Sequence, residues 1–523
     1  MKKPIRMGVA AAVISGGILL SRLLGLLRES LLAGLIGLNA EADLYRHAFA
    51  IPDFLSYLLA GAYLTITLIP ILSRHIENND ADAMNRAFTS VFRFVAVGIV
   101  GLTAVMWIFA PQFVDLVFPA RPEDHVRLIS LTRIVLPAQI FLVLGSVLMA
   151  AQYAHRRFVI PAIAPLIYNL GIIGGGLLGY AAGDASPEAF LWGAVAGSVI
   201  GNFGIQWFGA RRAGIRLVPV AGQSAVGEYM ILALPLMLGQ SVAVLDEQFI
   251  NWFGQVETGA AAGLFYARRL TMVPIGVIAQ AAGVAAYPFL ARLAASGDQQ
   301  KLNKTTENAA KNTVFISAVA TALLVVLAGP FVSLIYGYGE FSAAGNNASL
   351  VAGLLVIYAF SIPAWGLHQI IARHFYAKRR MWVPVGVGTA STVIAIPTWL
   401  LLYRAMGIEG FALASTLTMT GYALALLVAW GRDAGWDGVR RIAPSFARGL
   451  AAAASAAAAT VPLVNALGGS EPAGPADALG IAGVGMVTTL AVFLLVAKIL
   501  KAPELDALQE RVRSRRSPKE GRG

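Results

Sequence analysis

Residues 153–161 read YAHRRFVIP, and residues 376–384 read YAKRRMWVP. Five of the nine positions are identical, at an offset of 223. Pro52 and Pro274 lie 222 apart, and IPILSR ending at Arg74 matches YPFLAR ending at Arg292 at an offset of 218. One Arg-Arg-Pro match between basic loops arises by chance, whereas three matches at nearly one offset mark an internal repeat. Two halves of six membrane spans each would produce that offset. An even number of spans per half gives both halves one orientation, with a pseudo-two-fold axis along the membrane normal.

Composition supports the membrane reading. Of 523 residues, 57% are hydrophobic and 13% charged, with mean hydropathy +0.69. Soluble domains carry about 25% charged residues, so the chain lacks the charge to cover several water-facing surfaces. Runs of apolar residues long enough to cross ~30 Å of hydrocarbon recur along its length. Spans are expected at 7–37, 43–73, 88–112, 128–153, 158–182, 189–210, 226–254, 259–290, 308–336, 346–375, 382–403, 408–431, 444–468 and 476–499. The fold class is therefore an all-α polytopic membrane protein with fourteen transmembrane helices. It divides into an N-terminal lobe (1–216), a C-terminal lobe (217–441), an added helix pair (442–500) and a basic tail (501–523) suited to anionic lipid. Met1 to Leu20 resembles a signal peptide, but its apolar run continues through Ile36 and is kept as the first helix.

Charge alternates between connections. Basic residues precede span 1 and follow the even-numbered spans, as Arg74 and Arg86, Arg156 and Arg157, Arg211 and Arg212, Arg292 and Lys301, Lys378 to Arg380, and Arg440 and Arg441. The opposite loops hold chiefly Arg121, Arg127 and Arg404. Under the positive-inside rule both termini face the cytoplasm. The net charge of +12 thus reports topology and not nucleic-acid binding.

Zero cysteines exclude disulfides, thiol catalysis and Cys-ligated zinc, and six scattered histidines form no metal cluster. No Walker A motif, HExxH or Ser/His/Asp set is present, so neither catalysis nor ATP hydrolysis is expected. Ionisable groups at bilayer depth are costly and mark function instead. Span 1 carries Ser21, Arg22, Arg28 and Glu29; Ser21 and Arg28 lie seven apart and nearly share a face, as do Arg22 and Glu29. Span 2 carries Asp43, Arg46, His47 and Asp53 around Pro52; Asp43 either caps the helix or faces a ligand. Span 7 holds Asp246 and Glu247, and span 8 Arg268 and Arg269, placed so that a Glu247–Arg268 ion pair leaves Arg269 for ligand work. Asp246 is a candidate Na+ ligand. Arg93 and Arg133 read as structural charges near helix ends, and His368, Arg373 and His374 as snorkelling at the end of span 10. Cations outnumber acids in spans 1, 2 and 8, which suits an anionic substrate held by bidentate arginines.

These residues resemble the MurJ/MviN lipid II flippases of the multidrug/oligosaccharidyl-lipid/polysaccharide exporter superfamily. The resemblance covers spans 1–12 and rests on SRLLGLLRE at 21–29, Asp43 with Phe49-x-x-Pro52, RRFVIPAIAPLIYN at 156–169, FYARRLTMVPIGV at 265–277, YGYGEFS at 336–342 and FYAKRRMWVP at 375–384. It implies a monomer in the bacterial cytoplasmic membrane, with no organic cofactor and Na+ as a candidate coupling ion. It implies two lobes around a cationic cavity, a groove for a polyprenyl tail at the last two helices, and flipping of undecaprenyl-diphosphate-linked peptidoglycan precursor by alternating access. Ser21, Arg22, Arg28, Asp43 and Arg269 match the family's important positions. The family's Asp-Arg in span 7 and Ala-Asp-Arg in span 8 stand here as Asp246-Glu247 and Ala267-Arg268-Arg269, a charge swap that preserves the pair. Span 2 departs further: Ala50, Ser56-Tyr57 and Gly61-Ala62 occupy positions where the family carries a cation, an Arg pair and Glu-Gly. Arg46, one turn before Ala50, supplies one cation. These departures leave open a flippase for another polyprenyl-linked glycan, or a non-transporting lipid-binding scaffold.

Overall fold

The computed structural model describes residues 7–58, 61–155, 157–219, 225–238, 241–343, 347–470, 472 and 474–505. In chain order the helices are α1 (Met7–Ile36), α2 (Ala40–Ala48), α3 (Ala50–Leu58), α4 (Gly61–Glu77), α5 (Ala81–Ile108), α6 (Ala110–Val117), α7 (His125–Val135), α8 (Ala138–Ala154), α9 (Val159–Ala181), α10 (Pro187–Gly197), α11 (Gln206–Arg212) and α12 (Val226–Leu238). They continue as α13 (Ser241–Gly254), α14 (Ala260–Pro274), α15 (Ala281–Ala295), α16 (Gln299–Val326), α17 (Ala328–Tyr336), α18 (Glu340–Ala343), α19 (Asn347–Ala359), α20 (Ile362–Ala377), α21 (Trp382–Ala434), α22 (Trp436–Ala466) and α23 (Pro475–Ile499). π-helical turns occupy Ser198–Ile205 and Ile275–Gln280. No strand occurs among the described residues.

Ten helical stretches among the described residues are long and apolar enough to cross a membrane. One is the 53-residue α21, which breaks at Gly407, where φ is 61° and an L side chain would be strained. This count falls short of the expected fourteen: α21 covers the expected spans 11 and 12, and the stretches expected as spans 1, 2 and 7 are not among the ten. In span 2, Pro52 cannot donate to the carbonyl of Ala48, so α2 ends there and α3 restarts at Ala50. Pro274, its repeat partner, ends α14 at the second π-helical turn.

The repeat reappears in backbone and caps. α5 and α16 are both 28 residues long and start 218 positions apart. Each is opened by an aspartate: Asp80 accepts from the Ala83 N–H at 2.8 Å, and Asp298 from the Lys301 N–H at 3.0 Å. Hydrogen bonds from the Lys301 side chain and backbone hold the Asp298 carboxyl below its usual range, so this cap persists until acid titrates it.

Two compact units form. The first is Met1–Ala262 with Gly339–Ala344, and the second is Gly263–Tyr338 with Gly345–Gly523. The boundary differs from the expected one at 216, because α12 packs on α4 and α5 while α13 packs on α3 and α2. In the first unit, α9 lies between α1 and α10. Its approach to α10 is set by glycines: a Cβ at Gly193 would lie 2.4 Å from the Gly171 carbonyl oxygen, and one at Gly175 would lie 2.3 Å from that of Ala189. Gly171 and Gly175 thus face Gly193 and Gly197 in a small-xxx-small seam, where dispersion between bare backbones replaces the missing hydrophobic drive.

In the second unit α16 is central, packed by α15, α19, α20, α22 and α23. Phe315, Ala318 and Ala322 of α16 interlock with Ala452, Ala453 and Ala456 of α22 and with Phe493 of α23. Small residues on α22 let the added helix pair approach α16 closely.

Candidate functional site

Among the sequence-predicted residues, those of spans 1 and 2 converge in the first unit. The Asn169 side chain on α9 donates to Ser21 Oγ at 3.4 Å, and its Oδ1 accepts from Arg28 Nη1 at 3.3 Å. Arg28 Nη2 donates to Glu29 Oε1 at 2.5 Å, and Arg46 of α2 pairs with the other oxygen of the same carboxylate. Glu29 is buried, with its side chain 3% exposed, against 16% for Arg28. Within this chain of contacts the guanidinium charges of Arg28 and Arg46 meet at the Glu29 carboxylate, each a charge held in a poorly solvated place. Such a charge is stabilised by an incoming anion far more than one in water. Arg46 also lies 5.4 Å from the ring centroid of Tyr45, a buried residue packed edge-on to Phe49 and Phe190. Arg22 is half-buried on α1.

Asn169 was not singled out from the sequence. Its signal was an amide inside an apolar helix, four residues after Pro165, whose carbonyl it also holds at 2.9 Å. A search restricted to ionisable groups passes over it.

Asp43, read from the sequence either as a helix cap or as a residue facing a ligand, is held as a cap, though not of its own helix. It is 0% exposed, and its two oxygens accept from the N–H groups of Gly259, at 2.6 Å, and Ala262, at 3.0 Å. Arg121 stands 3.7 Å away. Asp43 therefore caps the first turn of α14 from another helix, satisfying orphan donors and favouring the positive helix end. The start of its own helix is capped by Asn39, which accepts from the Ala42 N–H.

Arg268 and Arg269 lie half-buried on α14 in the second unit. The helix is fixed there by Tyr266, fully buried and stacked on Tyr336 at 4.9 Å, with the Tyr336 hydroxyl donating to the Tyr266 carbonyl. The side chains of Asp246 and Glu247 lie outside the described residues, as do those of Arg156, Ser56 and Tyr57. Among the described residues, no three His, Asp or Glu side chains gather to hold a metal ion.

Two of the three cations in the basic loop of the second repeat share one carboxylate. Lys378 donates to Asp433 at 2.5 Å and Arg380 also pairs with it, while His374 hydrogen-bonds Thr306 at 2.9 Å. His374 is 0% exposed and is no snorkelling residue. Glu307 is likewise shared by Lys311 and Arg441.

This architecture is found in solved transporters. A structure titled "Lipid II flippase MurJ, inward closed conformation" superposes with a TM-score of 0.74 at 20% identity, covering 93% of this chain and 98% of that one. An inward-facing multidrug resistance MATE family transporter of the MOP superfamily gives 0.67 at 16% identity, covering 81% and 95%. The chain thus shares the fold of these polytopic membrane proteins. Residues 32–468 match the family described as "Lipid II flippase MurJ", and the chain belongs to that family. Among relatives, the "Probable lipid II flippase MurJ" of Rhizobium meliloti (strain 1021) is 26% identical over 439 residues, 81% of each chain. The "Lipid II flippase MurJ" of Burkholderia cenocepacia is 25% identical over 404 residues, covering 74% of this chain and 76% of that protein.

Proposed function

We propose that this chain flips lipid II, an undecaprenyl-diphosphate-linked precursor of peptidoglycan, from the inner to the outer leaflet of the cytoplasmic membrane by alternating access. Both termini face the cytoplasm in this reading, and the chain acts as a monomer. The observation that carries it, beside family membership, is the Ser21–Asn169–Arg28–Glu29–Arg46 chain of contacts, which brings two guanidiniums together at membrane depth. A diphosphate offers several oxygens to two guanidinium forks already oriented by Glu29 and Asn169, so little side-chain freedom is lost on binding. Transport needs no covalent step. The site has only to hold the headgroup more tightly than the flanking water does, and then release it when the opposite side opens. In the first unit Arg22 is assigned to substrate binding as well; in the second unit Arg269 is assigned to substrate binding, and α22 with α23 to the polyprenyl tail.

The test is rescue of a bacterium depleted of its own lipid II flippase. The wild-type chain should restore growth, whereas Arg28→Ala and Arg269→Ala should each abolish rescue with the protein still present in the membrane. Equal rescue by both variants would remove the cationic site from the mechanism. A second reading, a flippase for another polyprenyl-linked glycan, is favoured by Ala50, Ser56-Tyr57 and Gly61-Ala62 standing where the family is charged. It wins if the chain fails this rescue but repairs a polysaccharide-flippase defect.

A further inference from the structure

Within the first unit, α5, α6, α7 and α10 enclose a cleft of about 650 Å³. Its walls are apolar, formed by residues such as Trp107, Ile129, Pro137, Trp192 and Val195, and its polar side chains are Ser130 and Arg133. Arg133 Nε donates to the Trp107 carbonyl at 3.1 Å, and its guanidinium lies 4.8 Å from the centroid of the Trp107 ring. Among the described residues, no carboxylate pairs with it, and its two Nη groups have no hydrogen-bond partner.

Depth follows from helix geometry. α7 starts at a charged rim, where Arg127 pairs with Glu41 and Glu188. Arg133 lies six residues further along, about 9 Å deeper at ~1.5 Å per residue. Side chains on a helix lean toward its N-terminus, so this guanidinium reaches back toward the lipid headgroups. Trp107 and Trp192, 45% and 59% exposed, flank the cleft as indoles do at a membrane interface. The site thus offers the two Arg133 Nη groups above an apolar slot, with no carboxylate among the described residues to neutralise them.

We propose that this cleft holds one anionic glycerophospholipid, its phosphate on the Arg133 Nη groups and an acyl chain along Ile129, Pro137 and Val195. The occupant is a phosphate joined to a hydrocarbon chain, because the charge and the apolar slot adjoin. It is net anionic, because no carboxylate lines the cleft to receive an ethanolamine or choline cation and the Trp107 face is already taken by Arg133. The inference does not depend on the transported substrate.

Native mass spectrometry of the full chain in detergent, titrated separately with phosphatidylglycerol and phosphatidylethanolamine, tests it. The wild type should retain one phosphatidylglycerol at concentrations where phosphatidylethanolamine is lost. Arg133→Gln should weaken phosphatidylglycerol about tenfold or more, the effect of losing charge-assisted hydrogen bonds, and should erase the preference. Val195→Trp, which fills the slot and keeps the charge, should weaken both lipids. Equal retention of the two lipids by the wild type overturns the proposal. So does undiminished phosphatidylglycerol binding by either variant, and Val195→Trp decides the matter should Arg133→Gln fail to fold.

Discussion

Asp43 and Arg28 both carry charge at membrane depth, yet they do different things. Arg28 ends on Asn169 and Glu29 with its guanidinium 16% exposed, whereas Asp43 is sealed against peptide N–H groups at 259 and 262. The distinction has a measurable form. Asp43→Ala should lower the stability of the purified protein by about 1–3 kcal/mol, the cost of losing a charged cap and leaving buried donors unsatisfied. Asp43→Asn, which keeps one acceptor, should lose less. Thermal unfolding in detergent reads both, and unchanged melting with defective transport would return Asp43 to the substrate. The sequence marked Ser21, Arg28, Glu29 and Arg46 span by span, because helical periodicity and charge cost act on each span alone. It could not show that Asp43 reaches another helix, since a cap supplied from a distance leaves no local spacing to read.

Helices show the same division between what is legible and what is not. Apolar runs disclose that α5, α8, α9 and α16 cross the bilayer, because hydropathy measures the lipid each must face. The restart at Ala50 was foreshadowed by Pro52, but the π-helical turn at Ser198–Ile205 has no comparable residue signal. The unit boundary at Ala262 depends on which helices α12 and α13 touch, a property of packing that composition does not encode. Packing also predicts sharp position dependence along the α9–α10 seam. Gly193→Ala places a methyl 2.4 Å from a backbone oxygen, so it should destabilise by about 1–3 kcal/mol as an overpacked contact. Gly174→Ala, with nothing within 4 Å, should be neutral or slightly stabilising. Unfolding in graded denaturing detergent compares the two, and equal effects would mean that the seam does not hold the helices together.

At the scale of the whole molecule, the repeat and the alternating charge make one claim about topology, and the absence of cysteine makes it simple to test. Ala185 and Ser296 are exposed, in connections on opposite sides of the expected topology. In intact cells an impermeant thiol reagent should modify Ala185→Cys and spare Ser296→Cys until the membrane is opened. The reverse pattern would turn the chain over and invert the direction assigned to transport. The duplication visible in α5 and α16 extends to an aspartate at the start of each, so the ancestral unit carried its own helix-initiating signals as well as its apolar runs. The two units each hold two cations on one carboxylate: Lys378 and Arg380 share Asp433, and in the first unit Arg28 and Arg46 share Glu29 beside Asn169. The glycines that α9 packs against have a bearing on the contact between Arg28 and Asn169. A Cβ at Gly197 would strike the carbonyl of Tyr168, the neighbour of Asn169. A lesion there, though wholly uncharged, would push the amide away from its guanidinium and present itself as an electrostatic fault, and compensating changes would arise on α1 instead of at the crowded methyl.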